Sequence, residues 1–456
     1  MYHFTIPQKK VASSQYDVVI VGGGTGGVIA AIAAARQGAK TALVEAKGYV
    51  GGIVTEGGTA LHSFYNNYKG FNREKIQLIH GIPEELINRL IARGACTGHI
   101  EMDAGYNYDS VCTVIDTELY KLVAQEFLQE AGVTLYLQTM VSSAIEENGV
   151  VQGILTTSHS GEHVLIAKSF VDCSGYGDLC AFAGAKFTEP NDHSSANSIG
   201  VAGVSVKAFY DYFNQYGAVA QYVRTTDKND EELLIRVDIN KRDIPEDFRE
   251  EAIKIGLALV VTTLSDNYFM FLKLNYQTPI TPTDTLESAK ASLELRSRQE
   301  KAIQLLRKYI PGCENAFIAR TSPTICIRRG RCIECDKDIS LEEIATGTHF
   351  EDDVVVYGFH DESPRITINN GASYGIPYRA LLPVGLKNVY ATGMMITSDF
   401  HAHMSTRNTV ACMAQGQAAG IAAALCAQNN CESRALPYQA LKEALLAQNV
   451  YLTPIK

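Results

Sequence analysis

The sequence predicts an α/β protein. A domain built on a parallel sheet is split in the chain, and an α+β domain is inserted between its halves. Three observations predict this. First, between Tyr16 and Glu45 a buried apolar run, a glycine-rich turn, an alanine-rich helix and a second apolar run follow one another. Second, the same strand-and-helix texture returns near the C-terminus, from Asn388 to Gln428. Third, the texture changes between Asn191 and Thr367, with more Tyr, Phe, Asp and Lys and a polar stretch at residues 225–232. The expected units are therefore 1–190, 191–367 and 368–456.

The elements follow in order. Asp17-Val18-Val19-Ile20-Val21-Gly22 is an apolar run closed by glycine, the pattern of a buried parallel strand. The alanine-rich stretch after it has high helix propensity, and Gly38 supplies a stop. Residues 39–45 give a second strand, which completes a βαβ unit of about 30 residues. Leu119, Leu122, Val123, Phe127 and Leu128 stand at helical spacing, so residues 116–131 form a helix. Residues 133–141 follow as one strand. A meander comes next, with turns at Gly149 and at Ser160-Gly161, and it returns to a buried strand at Ser169–Asp172. In the middle region residues 286–309 form a helix. Near the C-terminus Asn388-Val389-Tyr390-Ala391-Thr392-Gly393 reads as a strand ending in glycine. The small-residue helix beyond it suits close packing against a sheet or a ligand.

Bulk properties narrow the function. The chain has 456 residues, 46% hydrophobic and 20% charged, enough for two or three ordinary cores. Its net charge of -10 argues against nucleic acid or an anionic membrane as the main partner. The 11 cysteines are odd in number, and Cys173, Cys412 and Cys426 lie in apolar runs, which fits reduced thiols in a cytoplasm. No signal-peptide core precedes Asp17, and no apolar run reaches membrane-spanning length.

Gly22-Gly23-Gly24-Thr25-Gly26-Gly27 satisfies G-x-G-x-x-G between a strand and a helix, and Glu45 ends the next strand 18 residues after Gly27. Each part has a physical reason. Gly22 permits the tight turn, Gly24 lets backbone approach a pyrophosphate, and Gly27 lets helix and strand pack closely. Free N–H groups and the helix dipole favour an anion there, and Glu45 can accept from a ribose diol. The expected fold is thus Rossmann-like.

Further segments choose between dinucleotides. Glu45-Ala46-Lys47 followed by Gly51-Gly52 resembles the second signature of two-dinucleotide-binding-domain flavoproteins. Residues 172–178 (DCSGYGD) resemble their middle motif, and residues 388–393 (NVYATG) before an AQGQAAG helix resemble their C-terminal motif. With residues 80–94, 116–133, 171–185, 376–393 and 409–425, the chain is similar to the FAD-dependent oxidoreductase family, related to fumarate reductase and succinate dehydrogenase flavoproteins. That resemblance implies a noncovalent FAD. It would be held by Gly22, Gly24, Thr25, Gly26, Gly27, Glu45, Ala46, Lys47, Gly51, Gly52, Val141, Ser174, Gly175, Gly393, Met394, Asn408 and Thr409. One departure stands out. The position after Gly393 holds Met394, where related motifs carry an aspartate or an arginine. Covalent attachment through His62 is kept as an alternative.

The flavin would transfer a hydride to or from a small organic substrate, and the protein would aim that substrate and move the proton. The candidates are His401, His403 and Arg407, in a segment that the resemblance places beside the flavin, and His360 in a His-Asp pair. Histidine suits acid–base work near neutrality, and arginine suits a carboxylate. Tyr374 and Arg379 resemble a crossing segment, and His62, Tyr65, Asn66 and Asn67 follow the double glycine. Cys326, Cys332 and Cys335 could bind a metal, form a disulfide or remain structural thiols, and no metal is expected. Arg328, Arg329 and Arg331 offer an anion-binding wall. The electron donor or acceptor is not specified, and a homo-oligomer is left open. Two other readings stand beside this one: a tRNA-modifying flavoprotein, and a non-catalytic FAD-binding subunit of an electron-transfer complex.

Overall fold

The computed structural model describes residues 10–56, 60, 65–66, 75–101, 111–226, 231–362 and 365–456. Five parallel strands form the sheet predicted from the two ends of the chain. Their spatial order is Val389–Ala391, Ser169–Asp172, Val18–Val21, Thr41–Val44 and Thr134–Tyr136. The first four are buried along their whole length, which explains their near-continuous apolar sequence.

Two helices pack on this sheet and on each other, Thr25–Arg36 and Thr409–Asn429. Their contact is backbone on backbone. A Cβ at Gly416 would run into the Gly26 backbone, and one at Gly420 into the Ala30 carbonyl. Only glycine permits this approach. By length and composition Thr409–Asn429 could span a membrane, yet 89% of its apolar window is buried inside the protein. It is a core helix, apolar on every side because protein surrounds every side.

The meander forms a four-stranded sheet in the order Ala12–Gln15, Gly161–Ile166, Val150–Ser158, Met140–Glu147. Two local readings need correction. Residues 133–141 are not one strand. Thr134–Tyr136 belongs to the parallel sheet and Met140–Glu147 to the meander, and Gln138 between them takes a positive φ of 51°. The apolar pattern runs through the break, so periodicity could not reveal it. The parallel edge strand Ala12–Gln15 was not expected, because its residues (ASSQ) are polar.

The inserted region is a six-stranded antiparallel sheet. Its order is Val219–Thr226, Glu232–Ile239, Leu257–Thr262, Tyr268–Tyr276, Ser195–Ala202, Phe317–Thr321. The helix Thr285–Tyr309, capped by the Asp284 side chain, covers one face. Core membership changes between Ile327, which packs with this sheet, and Ile333, which packs with the parallel sheet.

Candidate functional site

The glycine turn separates two kinds of glycine. At Gly22 (φ +95°) an added Cβ would run into the Cys173 carbonyl, and at Gly27 into the Gly22 carbonyl. These two make room for protein. Gly24 is different: an added Cβ there meets nothing within 4 Å among the described residues. Gly24 is also the N-cap of Thr25–Arg36, and no side chain caps that helix. Its first N–H groups therefore lack an intrahelical or capping partner beside open space, the chemistry that suits a pyrophosphate. The Glu45 carboxylate accepts from the N–H of Gly23 at 2.7 Å and of Lys47 at 2.8 Å. Burial pushes its carboxyl above the usual range, and the two N–H bonds oppose that shift. Its remaining lone pairs can take a diol.

The loop after the second strand seals the turn. The Gly51 N–H donates to the Gly23 carbonyl at 2.8 Å, and a Cβ on Gly52 would lie 2.8 Å from Gly24 Cα. Ala46 is exposed, and Lys47 reaches Glu56 at 2.5 Å. The Thr139 N–H donates to the Glu45 carbonyl at 3.0 Å, which brings Val141 close to this corner. His62 and Asn67 lie outside the described residues. Tyr65 and Asn66 are buried, and Tyr65 stacks on His99 at 4.4 Å.

On the other side two loops cross over the sheet. Asp172 is fully buried and accepts from the N–H groups of Ser174 and Cys180 and from the Ser174 hydroxyl. This holds Gly175 at φ +84°. The Gly393 N–H is taken by Gln415 Oε1 at 2.6 Å, and Gln415 Nε2 donates to Thr406 O. Gln415 escaped the sequence reading because it sits inside an alanine-rich helix. Met394 lies against Gly175, its Cε 3.4 Å from where a Cβ would stand. An apolar side chain thus fills the place where related motifs carry a charge. Asn408 is the N-cap of Thr409–Asn429, but its amide turns back to Met404 O and Ser405 O, so no side chain caps this helix either.

The segment predicted to carry chemistry is a short helix, Phe400–Thr406, and Arg407 is its C-cap. Arg407 is fixed by an ion pair with Asp361, while its Nε has no partner among the described residues. His403 is fully buried. Its Nε2 lies 3.0 Å from the Arg328 carbonyl, so that nitrogen carries the proton and Nδ1, which has no partner among the described residues, is an acceptor. Burial, then the charges of Arg407 and Arg329, hold it well below the ordinary histidine range. His401 is different again. Its side chain is 43% exposed, and its Nδ1 meets Glu362 at 2.5 Å. His360 is buried with both ring nitrogens on backbone: Nε2 with His401 O at 2.8 Å, and Nδ1 accepting from the Glu362 N–H at 3.0 Å. Tyr374 bonds Ser405 at 2.7 Å, and Arg379 pairs with Asp352 at 2.6 Å.

One residue of this cluster was not singled out from the sequence. His193 packs its ring on Phe400 at 4.4 Å and on His403 at 5.2 Å, with Asp192 on its Nδ1 at 2.8 Å. It precedes the first inserted strand, far from residues 401–407 in the chain, and only the fold joins them.

The arginine-rich segment is broken into short bridged pieces. Cys326 bridges to Ala196, Cys332–Ile333 pairs with Phe187–Thr188, and Cys335 bridges to Pro383. The backbones of the three cysteines thus pair with three different partners, and all 11 cysteines are free of disulfides. The arginines diverge as well. Arg329 pairs with Asp192 at 2.9 Å and Arg331 with Asp178 at 2.8 Å. Arg328 makes no side-chain hydrogen bond or ion pair among the described residues.

A profile of the FAD-dependent oxidoreductase family matches residues 17–445. A dihydrolipoyl dehydrogenase of Acholeplasma laidlawii is 46% identical over 71 residues, 15% of this chain and 21% of that protein. A digeranylgeranylglycerophospholipid reductase of Methanocella arvoryzae is 29% identical over 168 residues, 36% of this chain and 40% of that protein. The chain spans less than half the length of either relative. Among solved structures, a geranylgeranyl bacteriochlorophyll reductase-like protein of Thermoplasma acidophilum aligns with a TM-score of 0.48 at 14% identity, covering 96% of this chain and 85% of that one. The anhydrotetracycline hydroxylase of Streptomyces rimosus aligns at 0.46 and 12%, covering 95% and 66%. The family match covers most of the chain: it belongs to the FAD-dependent oxidoreductase family, and FAD is its cofactor.

Proposed function

We propose that this member of the FAD-dependent oxidoreductase family oxidises or reduces a small organic substrate at the junction of the parallel sheet and the inserted sheet. The observation that carries the reading is the open face of Gly24 above an uncapped helix start, set in a turn whose other glycines are closed by protein. FAD, when bound, supplies the hydride chemistry.

The residues divide the remaining work. The Gly24–Gly27 turn binds the pyrophosphate, Glu45 the ribose, and the backbone near Val141 the adenine end. Gly51, Gly52, Ser174, Gly175, Gly393 and Met394 flank the rest of the cofactor. The start of Thr409–Asn429, with Asn408 and Thr409, would offer its dipole to negative charge on the cofactor. Arg407, held by Asp361, stabilises an anion beside it. His403 is a neutral acceptor at Nδ1. His401, half exposed and paired with Glu362, exchanges protons with solvent. His360 holds the His401 and Glu362 backbones in place. The second reactant is an external electron donor or acceptor.

The test is reconstitution. Purified protein should carry, or take up, FAD that denaturation releases, and His401→Gln should change the pH profile of turnover more than the affinity for FAD. Protein that takes up no FAD would overturn the reading.

A further inference from the structure

The inserted sheet has a second face, turned away from its helix. Leu272 and Leu274 pack in the core with Leu295 and Ala302 of that helix, so Lys273 between them points the other way. By the same alternation Val237 and Ile239 point into that core, and Arg236 and Asp238 do not. Asn197 bonds Gln299 of the helix, which turns Ser198, the cross-strand neighbour of Lys273, to the second face. Part of this face is apolar, with Val223, Ile235, Met270 and Phe271 against Ala60, Cys112 and Val114. The rest is polar and crowded with cations.

This face adjoins the cofactor cradle. Arg320 donates to the Glu56 carbonyl at 2.9 Å, and Thr324 donates to the Glu56 carboxylate at 3.1 Å. Glu56 ends the short helix that follows the double glycine. The Arg328 carbonyl is bonded to His403. Lys273 stands within reach of Arg328, Arg407, Asp238 and Cys326. Neither Lys273 nor Arg328 has a hydrogen bond or ion pair from its charged end among the described residues. Arg407 is already neutralised by Asp361, and Asp238 also feels Arg236. Lys273 and Arg236 thus both draw on the Asp238 carboxylate, and half-buried Arg328 pairs with no carboxylate among the described residues. Holding like charges together out of water is unfavourable unless an anion joins them.

We infer that Lys273 and Arg328 form the anchor for a carboxylate of the substrate, which makes that substrate an organic acid. A guanidinium can hold a carboxylate with two parallel bonds while the ammonium adds a third. The inference rests on the oxidoreductase reading of the same junction. It adds the substrate class and two residues, Lys273 on a strand and Arg328 on a loop, that the cofactor motifs do not include.

The experiment titrates FAD-loaded protein with acetate, succinate and benzoate, with sulfate as the control anion. Flavin difference spectra and melting temperature are the readouts. A carboxylate should perturb the flavin spectrum and raise the melting temperature, and sulfate should do neither at equal concentration. Lys273→Met and Arg328→Gln should each weaken that carboxylate roughly tenfold or more, the scale of one charged hydrogen bond, and leave FAD affinity unchanged. Lys273→Met should also melt higher than the parent without ligand, so a failed fold is not the expected confound. Three results would overturn the inference: no carboxylate binding by the parent protein, unchanged carboxylate affinity in both variants, or equal potency of sulfate. The melting series is repeated on FAD-free protein. Carboxylate stabilisation that survives there, in a protein that cannot take up FAD, would uphold the anion pair and refute the oxidoreductase reading.

Discussion

At the glycine turn the chain prepares for its ligand with backbone, and on the inner face of the inserted sheet it does so with side chains. The turn gathers Gly22, Gly24 and Gly27 within six residues, and what matters at each is a missing Cβ. The sheet face gathers Arg236, Asp238, Lys273 and Arg328 from separate segments, and what matters is charge brought together by register. The first device is local, so substituting it acts on packing and cofactor together. The second is assembled, so substituting it acts on affinity while the fold stands.

The largest expected effect breaks the turn. Gly27→Val places a branched side chain on the Gly22 carbonyl. No rotamer escapes a clash that begins at Cβ. Little folded protein and no bound FAD are expected by near-UV circular dichroism and absorbance. Gly24→Val sharpens the contrast, because Gly24 has open space and an ordinary φ of -66°. The FAD-free protein should melt close to the parent, while FAD affinity falls by about a hundredfold or more through exclusion of the pyrophosphate, a loss of about 3 kcal/mol. Equal loss of fold in both variants would remove the distinction between a packing glycine and a ligand glycine.

That distinction also explains how much could be read from sequence. Most of the parallel strands and the two packed helices follow from patterns within about 30 residues, and they appear at the expected positions. Thr25–Arg36 and Ser169–Asp172 are examples. The break at Gln138 was hidden because apolar residues flank it closely on both sides, Leu135, Tyr136 and Leu137 before it and Met140 and Val141 after it. His193, Gln415 and Lys273 were hidden for a different reason. A lysine in a strand or a glutamine in a helix is ordinary until the fold shows that its surroundings are buried. Met394 was visible as a departure, but only the structure shows that it packs on Gly175.

The next effect tests whether the sheet face is charged as described. Burial, with Arg328 and Arg407 nearby, lowers Lys273 from the usual lysine value to about 8, and Asp238 and Cys326 oppose that shift. The sign follows from proton counting. Between about 8 and the ordinary lysine value the unfolded chain holds a proton that the folded chain has released, so stability rises with pH across that window. Below about 8 both states are protonated and the whole cost of the buried charge is present. Melting temperature of the FAD-loaded protein should therefore gain a component that rises above pH 8, and Lys273→Met should remove it. Binding of a carboxylate should weaken over the same window as the ammonium loses its proton. A pH profile identical in parent and variant would place Lys273 in solvent.

The smallest effect probes the seam between the two regions. Glu56 is buried and receives Lys47 from the cradle side and Thr324 from the inserted side. Thr324→Val removes one bond to a charged acceptor at nearly constant volume. The acceptor keeps Lys47, so the loss should be modest, about 1 kcal/mol. In a chain of this length that is a shift of about 2 °C or less. What the shift is attached to matters more than its size. If the seam couples the two sheets into one cooperative unit, the whole unfolding transition should move together, and bound FAD should be released at the new midpoint. If the inserted sheet unfolds by itself, only its own transition should move, and the flavin signal should stay where it was. The second outcome would separate the regions thermodynamically. The carboxylate anchor would then rest on a unit that opens while the cofactor is still held.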